Sequence, residues 1–115
     1  MSVDVEVYSS RSSSLAELLG KLPDTEVWER LGDELGYDAD GWQVLLCEPE
    51  AIDPTEVPGD LAALLPDARY RYSLLLEPIG APEDGYAFLA SVLNVLGSDV
   101  SGVAYDLGTG APRLF

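Results

Sequence analysis

Hydrophobic and polar residues alternate from the start of the chain, where Val3, Val5 and Val7 are interleaved with Asp4, Glu6 and Tyr8. A period of two sends one set of side chains to a core and the other to water, which predicts a first strand. The period then changes. Leu15, Leu18, Leu19 and Leu22 recur at helical spacing behind Ser14, which with Glu17 has the form of a capping box, so a short helix is expected, ending near Gly20 and Pro23. Between Asp24 and Tyr37, Val27, Leu31 and Leu35 keep helical spacing; this favours a helix, with an edge strand through Glu26–Glu29 as the alternative. Turn chemistry follows in Tyr37-Asp38-Ala39-Asp40-Gly41.

Trp42 to Cys47 reads as a second strand, stopped at Glu48-Pro49 because proline supplies no ladder donor. An acidic loop then leads to a short helical turn capped by Asp60 and carrying Leu61, Leu64 and Leu65. In the clearest strand, Tyr70, Tyr72, Leu74 and Leu76 face one way and Arg69, Arg71, Ser73 and Glu77 the other, with Leu75 an exception. Its run Leu74-Leu75-Leu76-Glu77-Pro78 echoes Leu45-Leu46-Cys47-Glu48-Pro49. Pro82, Glu83 and Asp84 suit the first turn of a main helix, where proline loses no hydrogen bond and acids meet the positive dipole end. Along it Tyr86, Leu89, Ala90, Leu93 and Leu96 form one apolar stripe, Phe88, Val92 and Val95 a second, and Gly97 is placed to cap it. Gly102 to Asp106 predicts a last strand before a short tail.

Four strands, two definite helices and short connections predict an α+β fold in a single domain over residues 1–115. The expected architecture is a two-layer sandwich, a mostly antiparallel four-stranded sheet with helices on one face, ferredoxin-like or related. Its expected core is Val5, Leu18, Leu19, Val44, Leu46, Leu74, Leu76, Leu89, Leu93 and Val103.

Charge narrows the choice of partners. The 115 residues hold 21 acids, 6 bases and no histidine, for a net charge of −15. A hydrophobic content of 47% rules out a disordered acidic tail. Without histidine there is no Ser-His-Asp, Cys-His or zinc-protease arrangement, and no commonest metal ligand. The single Cys47 forms no internal disulfide, Asp4 and Glu6 stand where a secretory leader carries positive charge, and no apolar run is long enough to span a bilayer. A cytoplasmic location is therefore expected, with no membrane partner. The net charge also opposes contact with phosphate backbones, so direct nucleic-acid binding is not expected.

Candidate chemistry is sparse. Asp38-Ala39-Asp40-Gly41 resembles part of a calcium loop, but Gly36 and Cys47 stand where its first and last ligands belong, so no metal is expected. Asp106-Leu107-Gly108-Thr109-Gly110 has the form of a phosphate-binding turn, yet too little chain follows to build such a site, and no phosphate-cradling glycine motif occurs elsewhere. No cofactor is expected. Glu48 and Glu77, each before a proline, are the one carboxylate pair to consider for acid/base catalysis; the simpler expectation is that they pair with Arg69 or Arg71.

The unusual feature is the stretch from Asp24 to Asp60, with twelve acids against one base, Arg30. Crowded like charges oppose folding and at the same time attract a cationic partner. Asp33, Glu34, Asp38, Asp40, Glu50, Asp53 and Glu56 are the candidate contact acids, and Tyr37 and Trp42 within the run are the candidate aromatic anchors. The stripe Phe88, Val92 and Val95 is a candidate homodimer surface.

The segments Arg69 to Pro82, Gly102 to Asp106 and Trp42 to Pro49, with the tyrosine-bearing helix between the first two, resemble the small acidic immunity proteins of bacterial polymorphic toxin systems, over about half the chain. The resemblance implies a non-enzymatic cytoplasmic protein that binds and neutralises one cognate toxin domain, often over its active site. The leading expectation is thus an immunity protein that inhibits a basic toxin enzyme through an acidic surface. The alternative is a homodimeric small α+β ligand-binding or regulatory module whose acidity serves solubility or a high-salt cytoplasm.

Overall fold

The structure, a computed structural model, describes residues 3–24, 26–57, 59–77, 82–100, 103–106 and 111–114. The predicted alternations become strands β1 (Val3–Ser9), β4 (Trp42–Cys47), β6 (Tyr70–Glu77) and β7 (Val103–Asp106). Added to them are β2 (Glu29–Leu31), β3 (Glu34–Ala39), β5 (Glu50–Ala51) and β8 (Ala111–Leu114). All pairings are antiparallel, in the order β2-β3-β4-β6-β1-β7-β8, with β5 also on β6. The fold is α+β, but its open sheet is much wider than the four strands expected. β4 and β5 share one side of β6: β4 pairs with Leu74 to Glu77 and β5 with Tyr70 and Arg71, the break falling at Glu48-Pro49.

The largest correction lies between Asp24 and Tyr37. Instead of a helix, β2 and β3 form a hairpin closed by Gly32-Asp33, with Leu31 opposite Glu34. Gly32 has φ +67°, a conformation glycine adopts without a Cβ clash. The helical spacing was coincidental: Leu35 is fully buried, whereas Val27 and Leu31 are each 49% exposed. The next turn is tighter than the five residues expected, because β3 runs to Ala39, opposite Trp42, leaving Asp40 and Gly41 (φ +86°) as the loop.

Helix α1 (Leu15–Leu19) starts as predicted, with the Ser14 hydroxyl accepting from the Glu17 N–H and the Glu17 carboxylate accepting from the Ser14 N–H. Helix α3 (Glu83–Val100) passes through Gly97 rather than stopping there. Its Leu89, Val92 and Leu96 are buried, with Phe88, Leu93 and Val95 packed alongside. The two expected stripes are therefore not separate faces: Leu89 and Leu96 of the first are buried with Val92 of the second, Phe88 and Val95 partly so, while Tyr86 and Ala90 of the first are exposed. With α1, this helix covers the sheet face bearing Val5, Val7, Val44, Leu46, Tyr72, Leu74 and Leu76.

Helix α2 (Gly59–Leu64) lies on the other face, which corrects the expectation that helices occupy one side. Tyr8 and Val103, directly opposed on β1 and β7, pack there with Leu61 and Ala68 in a second cluster. Val103 belongs to this cluster and not to the main core. The tail after β7 is also corrected, since Ala111–Leu114 pairs with β7 as an edge strand; Leu107 to Gly110 lie outside the described residues.

One hydrogen-bonded pair ties the β1–α1 connection to the sheet. The buried Tyr72 hydroxyl accepts from the Ser13 N–H at 2.8 Å and donates to the Ser13 carbonyl at 3.0 Å. Tyr72→Phe should therefore leave both backbone groups without this partner and lower stability by about 1–3 kcal/mol, measurable as a smaller unfolding free energy in urea at unchanged slope.

Candidate functional site

Because directly opposed residues share a sheet face, the register fixes which side chains lie on the face opposite α3. One row across the sheet reads Glu29, Gly36, Leu45, Leu75, Asp4. On one side of it Leu31, Glu34 and Cys47 are opposed in turn, as are Ser73 and Glu6. On the other side lie Asp38, Gln43 and Glu77. Leu45 and Leu75 thus form an apolar centre ringed by Asp4, Glu6, Glu29, Glu34, Asp38 and Glu77.

Leu31 completes the centre. A Cβ on Gly36 would meet Leu31 Cδ1 at 2.8 Å and Leu45 Cδ2 at 3.4 Å, so the Leu31 and Leu45 side chains flank the bare glycine from either side. Helix α2 stands at the β1–β7 end of this face, and a groove of about 220 Å³ opens at the centre, lined by Asp4, Glu6, Glu34, Leu45, Cys47 and Leu75 among others. At its margin Arg71 pairs with Glu50 and lies 3.5 Å from Glu6, and these contacts hold its proton more firmly than usual, Glu50 contributing most. Burial raises the Tyr8 hydroxyl above the ordinary tyrosine range, and that hydroxyl donates to Glu6 at 3.2 Å.

Burial, and then the Glu34 carboxylate, push the Cys47 thiol up. A smaller thiolate fraction makes a slower nucleophile. At pH 8 Cys47 should react with iodoacetamide more slowly than a free thiol, and Glu34→Gln should speed the reaction by removing the neighbouring charge. A rate unchanged by that substitution would refute the electrostatic contribution.

The candidate contact acids divide. Glu34, Asp38 and Glu50 stand on the open face, while Asp33 and Asp40 sit in the hairpin turns at opposite ends of β3. Asp53 and Glu56 bind their own loop: the Thr55 N–H donates to Asp53 at 3.1 Å and the Asp53 N–H to Glu56 at 2.7 Å. Tyr37 and Trp42 lie on the other face in an aromatic cluster. Tyr37 stacks on Phe88 with centroids 4.0 Å apart and on Trp42 at 5.7 Å, with Trp28 5.4 Å away. The Tyr37 hydroxyl donates to Asp24 at 2.9 Å, which raises its pKa; the bond is present below the ordinary tyrosine range and is lost as pH rises through the higher folded value.

Glu48 and Glu77 do not converge. Glu77 is opposite Gln43, whose amide donates to it at 3.1 Å, and Glu48 lies five residues further along the chain, about 17 Å away at strand rise. Arg71 pairs with Glu50 and Glu6 instead of either of them. Among the described residues no group of three or more Cys, Asp or Glu is placed to hold a metal ion, and no helix is long and apolar enough to cross a membrane.

Sequence reasoning missed Asp4, Glu6 and Glu77 as members of one acidic surface with the stretch from Asp24 to Asp60, because they lie on strands distant from it in sequence. One signal was present. Leu75 interrupts the alternation of β6, and its cross-strand partner is Leu45, which stands within the echoed segment. Comparison with protein families, curated proteins and solved structures finds no match for this chain.

Proposed function

We propose that this protein is a non-enzymatic inhibitor of the immunity-protein kind, which binds and neutralises a cognate basic toxin domain through the acidic open face of its sheet. The observation that carries this reading is the ring of Asp4, Glu6, Glu29, Glu34, Asp38 and Glu77 around Leu31, Leu45 and Leu75. An apolar centre inside a charged rim is the anatomy of a protein interface, with the centre supplying affinity and the rim setting charge preference and encounter rate. A cationic surface seated there neutralises carboxylates that otherwise repel one another.

Co-expression with a toxin encoded by an adjacent gene should rescue cell growth, and the purified pair should associate less tightly as salt rises. Screening shortens from about 10 Å at 0.1 M to about 3 Å at 1 M, so capture at the two ionic strengths measures the electrostatic share. Rescue with equal affinity at both would refute an acidic interface; failure of rescue and capture would refute the inhibitor reading.

A further inference from the structure

Resting on that reading, we infer that the segment seated on the open face is an amphipathic helix, apolar along one stripe and flanked by lysine or arginine. The centre of the site lies on the face of the sheet, and the N–H and C=O groups beneath Leu45 and Leu75 are already spent on the ladders of β3, β4, β6 and β1. An extended segment laid there could not gain strand pairing, and its own backbone groups would be pressed onto Leu31, Leu45 and Leu75 without partners. A helix meets this surface without that cost because its hydrogen bonds are internal. Helix on sheet face is also how this chain covers its other side, with α3, and part of this one, with α2.

The dimensions agree. From β2 to β1 the site crosses four strand spacings, about 19 Å, which is about 13 residues of helix or between three and four turns. Such a helix places apolar residues over Leu45 and Leu75 and basic residues on both flanks, where Glu34 and Glu6 lie on one side and Asp38 and Glu77 on the other. Charge complementarity therefore selects a basic helix, not an acidic or neutral one.

The test uses the full chain and two peptides of about 14 residues and identical leucine and lysine content. One spaces leucine at i, i+3, i+4 and i+7; the other alternates leucine and lysine and is extended. By calorimetry the helical peptide should bind about tenfold more tightly or better, with amide shifts centred on Leu31, Gly36, Leu45 and Leu75, and Leu31→Asn should remove about tenfold of that affinity. Leu31 is half exposed, so this variant keeps the fold, and an unchanged circular-dichroism spectrum checks it. Equal affinity for the two peptides, shifts centred elsewhere, or an indifferent Leu31→Asn variant overturns the helix inference. Those results leave a salt-sensitive complex with the toxin domain standing, whereas a toxin complex indifferent to salt removes the acidic-face reading itself.

Discussion

Reversing three charges of the ring, Glu29→Lys, Glu34→Lys and Asp38→Lys together, should weaken the complex with a basic partner by about 10²–10³-fold, chiefly through slower association. All three lie on the β2–β3 hairpin and none is fully buried, so their replacement leaves the main core untouched. Folding should be unharmed or slightly favoured, because the substitutions relieve like-charge repulsion. Association and dissociation rates measured at low and high salt separate the outcomes. The variant should also lose most of the salt dependence of its association rate. If it binds as fast as the unaltered protein, the acids serve only to keep the molecule dissolved.

Leu74→Ala should have the largest effect on stability. Leu74 is 2% exposed on β6, opposite Val5 on β1 and Leu46 on β4, and so sits where three strands meet α1 and α3. Removing its outer carbons forfeits their transfer from water and leaves a cavity with strands on both sides that cannot close around it. The expected loss is about 2–5 kcal/mol, or roughly 8–20 °C in Tm for a chain of this size. Leu75→Ala is the control one residue away. Leu75 is only partly buried and belongs to the opposite face, so this change should cost less stability than Leu74→Ala while weakening partner binding. Comparable losses of stability from the two would contradict the assignment of these neighbours to a core and a surface.

The strands with clean alternation were legible because each carries its own evidence of a buried side: β1, β4, β6 and β7 appear where the sequence places them, and α1 and α3 begin where their caps or first-turn residues indicate. The hairpin was not legible by hydrophobic spacing, since Val27, Leu31 and Leu35 match a helix while only Leu35 enters the core. Its readable sign was Gly32-Asp33, a two-residue loop with glycine first. Helix α2 is too short for its periodicity to say which face it covers. That is settled by Tyr8, a bulky residue on the nominally wet side of β1 that needs a partner there.

The candidate site was half legible for a related reason. The acidic stretch supplies Glu29, Glu34 and Asp38, but the ring closes only when β6 and β1 bring Glu77, Asp4 and Glu6 beside β4 and β3. Linear charge density sees neighbours in the chain, and sheet register decides neighbours in space. Tyr37 and Trp42 were drawn toward the acids by sequence proximity, yet the alternation of β3 and β4 turns them to the side of Phe88.

At its two margins the sheet ends in strands poorly suited to extension by another molecule. The three-residue β2 offers a docking strand little length over which to form a ladder, and β8 carries Pro112, which has no N–H to donate. Lateral growth into fibrils is thereby discouraged at both borders, so the protein can reach high concentration without joining edge to edge.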